Sequence, residues 1–322
     1  MGQPNHLPSS GHQATTLLAP TRSKPLQTLP PSSAAAPKSD LSAYEPVKTL
    51  RKTLQGSVVL MRHRSTGVRY AVKIAQKRLV NAGRSLSGVR VCENIQQEVA
   101  LLRDLSRTPC ANIIQMADCI EDDDRYIVVM EYAARGELFD FVEERGMLTE
   151  PKARQIFAGV VHGLESMHNR SICHLDLSLE NILLADDATP KICDLGLARR
   201  LPPASGAPFQ GSISTRPGKL SYMAPEVYVG RDFHGTQADV WSLGIVLFIM
   251  LFGFPPFEIA DSSDIRYDFM QRRGLRALLD EWKLGSHVSR DALDLLAAIL
   301  RPAHSRITLA GIMRHPWMTR AA

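Results

Sequence analysis

The sequence predicts an α+β fold in two lobes, a small antiparallel sheet carrying one helix and then a larger, mainly helical part. Three observations point there. Short apolar segments alternating with polar residues dominate residues 44–132, whereas apolar residues at three- and four-residue intervals dominate after Gly136. With 322 residues, 44% of them hydrophobic, the chain can bury one large core or two joined by a hinge.

Residues 1–43 are rich in Pro, Ser, Ala and Thr and contain no acidic residue before Asp40, so a disordered tail is expected. A targeting segment shares that composition, but scarce Arg and frequent Pro work against an amphipathic targeting helix. Within 44–132, residues 57–61, 69–74 and 126–132 read as strands and 94–105 as the single helix. The basic stretch 77–90 reads as an insertion ahead of that helix. Within 133–322, helices are expected over 153–169, 239–252, 275–284 and 290–300. The sequence stops at Ala322, so no further folded domain is expected.

A net charge of +5 would suit nucleic acid or a membrane surface, but the Lys and Arg residues are dispersed and not interleaved with aromatics. Nucleic-acid binding is therefore not expected. Cys92, Cys110, Cys119, Cys173 and Cys193 are odd in number, scattered and never in metal-ligand spacing, which fits a reducing, cytoplasmic location with nucleus or organelle left open. The longest apolar run, 245–252, falls far short of the ~20 residues that span a bilayer. A soluble monomer without a membrane span is expected.

The chemistry-bearing residues sit mid-chain, in Cys-His-Leu-Asp-Leu-Ser-Leu-Glu-Asn (173–181) and Lys-Ile-Cys-Asp-Leu-Gly (191–196). Asp176, Asn181 and Asp194, each beside apolar anchors, supply the hard oxygen ligands and the proton acceptor that phosphoryl transfer to a hydroxyl needs. Any one Asp in a loop is more often a turn or helix cap. Upstream, Lys73 interrupts the apolar run Tyr70-Ala71-Val72-Lys73-Ile74, where an unpaired ammonium would be costly to bury.

Together these motifs resemble the eukaryotic protein kinase catalytic domain over about 44–318, and further segments fall in the same order: Tyr126 to Ala133, Ser221-Tyr222-Met223-Ala224-Pro225-Glu226, Ala238 to Gly244, Arg306 and His315-Pro316-Trp317. The resemblance implies a bilobal kinase fold using ATP and Mg2+, with Asp176 accepting the substrate hydroxyl proton and Asn181 and Asp194 holding the metal. It implies that Lys73 meets the phosphates with Glu98 as its carboxylate partner, Glu93 being the fallback. Gly56, Val58, Ala71, Met130, Glu131, Ala133 and Leu183 would border the nucleotide, with Met130 as gatekeeper and Glu131 to Ala133 as hinge. Glu226 and Arg306 would form a structural ion pair.

Several positions depart from the family pattern. Of three expected glycines in the phosphate loop, Arg51, Thr53 and Gly56, only Gly56 remains, which should weaken ATP binding unless Arg51 or Lys52 adds charge. Leu175 replaces the usual Arg, so activation through loop phosphorylation is less expected, although Ser205, Ser212, Ser214 and Thr215 offer hydroxyls in that segment. Leu195 stands where Phe is commonest, as an apolar equivalent. Ser178 stands where Lys is usual and Lys219 where Thr is usual, as though hydroxyl and ammonium had exchanged places. Lys219 is then expected to reach back beside Asp176; the alternative is a solvated Lys219 and a neutral Ser178.

Gly136-Glu137-Leu138-Phe139-Asp140 with Leu148-Thr149-Glu150 is similar to the calcium/calmodulin-dependent and AMP-activated kinase group. That resemblance implies serine/threonine protein substrates, with a basic residue upstream of the phosphoacceptor received by Glu137, which also borders the nucleotide. Tyrosine specificity is disfavoured because the Lys-Trp pair before Met-Ala-Pro-Glu is missing. A pseudokinase acting as scaffold or allosteric partner is the alternative, motivated by the lost glycines, Leu175 and Ser178.

Overall fold

The computed structural model describes residues 40–201, 209 and 218–320. The expected tail, apart from its last four residues, and the hydroxyls of Ser205, Ser212, Ser214 and Thr215 lie outside the described residues. The described chain begins with Asp40, whose side chain accepts from the Ser42 amide and caps a 3-10 turn at Leu41–Ala43. Leu41 and Ala43 pack against Tyr44, Met61 and Val72, so folded structure begins slightly ahead of residue 44.

The first lobe is one antiparallel sheet in the order β1-β2-β3-β5-β4, made of β1 (Tyr44–Thr53), β2 (Gly56–His63), β3 (Arg69–Gln76), β4 (Met116–Glu121) and β5 (Arg125–Glu131). Pro46 is tolerated in β1 because that strand is at the sheet edge and bulged between Pro46 and Lys48. Alternation along β3 buries Val72 completely on one face and turns Ala71 and Lys73 to the other. The lobe holds two helices where one was expected, α1 (Lys77–Ala82) and α2 (Ile95–Arg107). Part of the 77–90 insertion thus winds into a single short helix, closed by Gly83 in the left-handed conformation at φ 60°. In α2, Asn94 accepts from the Gln97 amide at 3.0 Å, and Ile95, Glu98, Leu101, Leu102 and Leu105 bury one stripe.

The second lobe is built on α3 (Leu138–Glu143), α4 (Glu150–His168), α5 (Pro225–Tyr228), α6 (Gly235–Phe252), α7 (Ile265–Arg273), α8 (Leu275–Glu281), α9 (Arg290–Ile299), α10 (Leu309–Met313) and α11 (Pro316–Thr319). It also contains two small antiparallel ladders, β6 (Ile172–Cys173) with β9 (Arg199–Arg200) and β7 (Ile182–Leu184) with β8 (Pro190–Ile192). These strands are two or three residues long, too short to leave a period in the sequence, yet they hold the loops that carry the chemistry.

Helix α6 starts four residues before the expected 239, and its 18 residues are apolar and long enough to cross a membrane. The sequence reading of 245–252 as the longest apolar run missed this, because Asp239 and Ser242 interrupt the hydropathy. In the fold 89% of α6 is buried, as the central core helix around which α4 and α9 pack.

Candidate active site

Between the lobes lies a cleft of about 670 Å3, the size of a nucleotide-class ligand site. Its roof is the β1–β2 hairpin, with Leu50, Arg51, Lys52, Thr53, Leu54 and Val58; its back is Ala71, Met130 and the backbone of Glu131 to Ala133; its floor is Leu183. Of the residues expected to border a nucleotide, Gly56 does not line the cleft. It serves the hairpin instead, because a Cβ there would meet the Ile74 carbonyl oxygen at 1.9 Å.

At the inner end the charged residues converge. Lys73 Nζ donates to both Glu98 oxygens, at 3.0 and 2.7 Å, and lies 3.4 Å from Asp194 Oδ1. Glu98 is 2% exposed because it lies on the buried stripe of α2, which brings residue 98 rather than Glu93 to the ammonium. Glu93 still borders the cleft, where burial pushes its carboxyl up. Burial works against the Lys73 charge, yet Glu98 and Asp194 outweigh it and hold its pKa above the usual lysine value. Lys73 in turn holds the Asp194 carboxyl below the ordinary carboxylate range, so Asp194 is an anion at neutral pH.

The 174–181 loop is anchored from behind. Asp239 on α6 accepts from the backbone amides of His174 and Leu175, at 2.9 and 2.8 Å, and lies 2.8 Å from His168 Nε2. The Asp176 amide donates to His174 Nδ1 at 3.2 Å, which leaves Nε2 as the protonated nitrogen, 3.0 Å from the Cys193 carbonyl. The fully buried His174 thereby ties the loop of Asp176 to the strand end that carries Asp194. Leu175 and Asp194 both sit at positive φ, 62° and 60°, a strain held by these bonds. Leu175 packs on the core and Leu195 is fully buried.

Around Asp176, the Asn181 Nδ2 donates to the Asp176 carbonyl at 2.8 Å and to its Oδ2 at 2.9 Å. The amide nitrogen is committed to Asp176, which leaves the side-chain oxygen as the donor Asn181 can offer; Asn181 and Asp194 line the same cleft, and this hard-oxygen donor set fits a divalent cation. Lys219 approaches from the opposite side, its amide 3.3 Å from Asp176 Oδ1 and its Nζ 2.9 Å from Ser178 Oγ, with Glu180 Oε1 at 3.8 Å. The contact is made possible by Gly218 at φ 87°, where a Cβ would come within 2.8 Å of Asp176 Oδ1. Burial pushes the Asp176 carboxyl above the ordinary carboxylate range, and the charge of Lys219 offsets only part of this.

A family model for the protein kinase domain matches residues 44–318 of this arrangement. The chain belongs to the protein kinase family. Serine/threonine-protein kinase SIK1 of Mus musculus is 34% identical over 277 residues, which cover 85% of this chain and 32% of that protein. Serine/threonine-protein kinase SAPK4 of Oryza sativa subsp. japonica is 34% identical over 288 residues, covering 87% of this chain and 73% of that one. Serine/threonine-protein kinase SRK2H of Arabidopsis thaliana is 34% identical over 286 residues, 86% and 72% of the two chains. The chain thus spans about a third of the mouse relative and nearly three quarters of the plant ones.

The kinase domain carries features that motif reading did not reach. Arg51 donates to Glu137 Oε1 at 3.1 Å across the mouth of the cleft, joining the hairpin to the second lobe. Asp239 was visible only as part of a motif, and its role as loop anchor depends on α6 reaching loop 174–181 from a distant part of the sequence. The ion pair expected between Arg306 and Glu226 is present and bidentate, at 2.7 and 3.1 Å, with the arginine side chain fully buried against Trp241.

Proposed function

We propose that this serine/threonine protein kinase transfers the γ-phosphoryl group of ATP to Ser or Thr hydroxyls of proteins through the residues that meet in the inter-lobe cleft. The observation that carries the reading is the convergence of Lys73, Glu98, Asn181 and Asp194 on one end of it, with Asp176 hydrogen-bonded to Asn181 just outside that lining. Adenine is bounded by Val58, Ala71, Met130 and Leu183 and faces the Glu131–Ala133 backbone. Lys73, held straight by Glu98, pairs with the phosphates and pre-pays their positioning. Asp176, oriented by Asn181, takes the hydroxyl proton as the substrate oxygen bonds to the γ-phosphorus and the bond to the β-phosphate oxygen breaks, releasing ADP. A divalent cation, Mg2+ by the hard-oxygen character of Asn181 and Asp194, would supply charge neutralisation to the phosphate oxygens.

Lys219 completes the site. Its ammonium, 2.9 Å from Ser178 Oγ, gives the transferring phosphoryl group the cation that Ser178 cannot supply. Glu137 is read as the acceptor of a basic substrate residue. It is half-buried near Asp140 and Glu180, and its present partner Arg51 is an exposed side chain whose pairing costs little to exchange. All five cysteines are free thiols, which supports a reducing, cytoplasmic setting. The lost glycines, Leu175 and Ser178 motivate a scaffold reading, but the retained Lys73, Asp176, Asn181 and Asp194 support catalysis.

The test is γ-phosphate transfer from MgATP to basic and neutral Ser/Thr peptides by the wild-type chain and by Asp176→Asn. Turnover by the wild type, lost by ~10³-fold in the variant and faster on basic peptides, is expected. Equal turnover in both proteins would refute the assignment of Asp176.

A further inference from the structure

In a hairpin that roofs a phosphate site, glycines allow the backbone to approach the ligand and adapt to it. Here Arg51, Lys52, Thr53 and Leu54 have side chains, and the hairpin is tied down from outside instead. Gln55, at its tip, turns away from the cleft and is only 7% exposed. Its Nε2 donates to the carbonyls of Leu79 and Arg84, both at 3.2 Å. The Leu86 amide donates to the Leu54 carbonyl at 2.8 Å, and the Gln76 amide to the Gln55 carbonyl at 3.0 Å. All of the residues outside the hairpin belong to the end of β3 or to the 77–90 segment.

That segment is itself a closed unit. Helix α1 ends at Gly83, and Arg84 bridges to Arg90 across a tight loop. The loop is secured by Ser85, 3% exposed, whose amide donates to the Val89 carbonyl at 2.7 Å and whose hydroxyl accepts from the Val89 amide at 3.0 Å. Its carbonyls at Leu79 and Arg84 are therefore fixed points, and a buried Gln that can reach two of them has every reason to stay.

We infer that the 77–90 segment is a positioning element for the nucleotide, holding the glycine-poor hairpin over the cleft through Gln55 and Leu54 so that ATP affinity depends on residues that never touch ATP. The inference rests on the cleft being the nucleotide site. It explains how the site tolerates the loss of glycines: a roof already fixed in its bound shape gives up less freedom when ligand arrives. Gln55 is a positioning residue, acting through the hairpin residues Arg51 to Leu54 that line the cleft.

The test compares the full chain with Gln55→Ala and Gln55→Glu, the latter of equal size but without the N–H donors. Three quantities are read: the Kd for MgATP by direct titration, the KM values for ATP and for peptide with kcat, and hydrogen exchange of the amides at 50–56. Both variants are expected to weaken ATP about tenfold, as two lost hydrogen bonds imply, with peptide KM and kcat within about twofold of wild type. Exchange at 50–56 should rise while that of β3 and β5 stays unchanged. Gln55→Asn, which keeps the donors on a shorter arm, should recover part of the affinity. ATP affinity within twofold of wild type in both variants, or exchange at 50–56 unaltered, would overturn the inference. So would a parallel loss of melting temperature, kcat and both KM values, since that marks a general packing role. Should the wild-type chain bind no ATP, the nucleotide reading fails, and the inference fails with it; the exchange result would still report separately whether the segment clamps the hairpin.

Discussion

Changing Lys219 to Met tests the exchange of ammonium and hydroxyl at the catalytic centre. The Nζ lies 2.9 Å from Ser178 Oγ, two residues from Asp176, the proposed acceptor of the substrate hydroxyl proton, whereas it is the Lys219 backbone amide that comes 3.3 Å from Asp176 Oδ1. A unit charge about 5 Å from a phosphoryl group, at an effective dielectric constant near 20, contributes ~3 kcal/mol. That converts to ~10²-fold in rate. The side chain is 35% exposed, so Met should leave the fold intact, with little change in melting temperature. The assay is steady-state and single-turnover transfer from MgATP to a peptide, with ATP affinity measured separately. The expected result is kcat down by ~10² with ATP Kd nearly constant, because the cation acts on the transition state rather than on the bound nucleotide. The double variant Ser178→Lys with Lys219→Thr restores the commoner family arrangement and should recover turnover to within about tenfold of wild type. Turnover of the Lys219→Met protein within threefold of wild type would refute the reasoning and leave Lys219 as a hydrogen-bond partner of Ser178 without a part in transfer.

Arg306→Met leaves Glu226 without its bidentate partner beside a fully buried position, and should destabilise the domain by about 3–5 kcal/mol, lowering the melting temperature by roughly 10 °C in calorimetry. Asp264, the cap of α7, accepts from the amides of Glu258, Ile259, Arg266 and Tyr267, and although burial opposes ionisation these bonds hold its carboxyl below the usual value. Its contribution is therefore present above the unfolded value near 4 and is lost as pH falls through the lower folded value. Asp264→Ala should cost about 1–2 kcal/mol in urea unfolding at pH 7, and the gap to wild type should close only below about pH 4.

Much of the site was legible because phosphoryl transfer needs chemically distinct groups at short, regular separations. Asp176, Asn181 and Asp194 lie within 18 residues of one another, and a carboxylate, an amide and a second carboxylate among Leu and Ile anchors form a pattern that composition alone rarely produces. That Lys73 needs a carboxylate was legible for a related reason, since an ammonium in an apolar strand is costly to bury unpaired; family resemblance named Glu98 with Glu93 in reserve, and the buried stripe of α2 decided for Glu98. Less was legible in the first lobe. Strand β1 is mostly exposed and β4 reads Met-Ala-Asp-Cys-Ile-Glu, so neither shows a sustained apolar alternation. Helix α1 is too short to establish a helical period of its own.

By itself the sequence determined the two-lobed α+β plan and, through its motifs, the candidate catalytic residues, with Ser178 and Lys219 in exchanged places. Local patterns report what each residue must bury or pair with, and these features are local demands. Only the tertiary structure decided which distant groups answer them. Asp239 reaches back some 65 residues to hold the His174 and Leu175 amides, and Arg51 crosses 86 residues to Glu137. Gln55 turns from the cleft to the carbonyls of Leu79 and Arg84. In each case a polar group satisfies itself on backbone or charge that sequence separation conceals, because hydrogen bonding is settled by position in space after the apolar core has fixed where the elements lie.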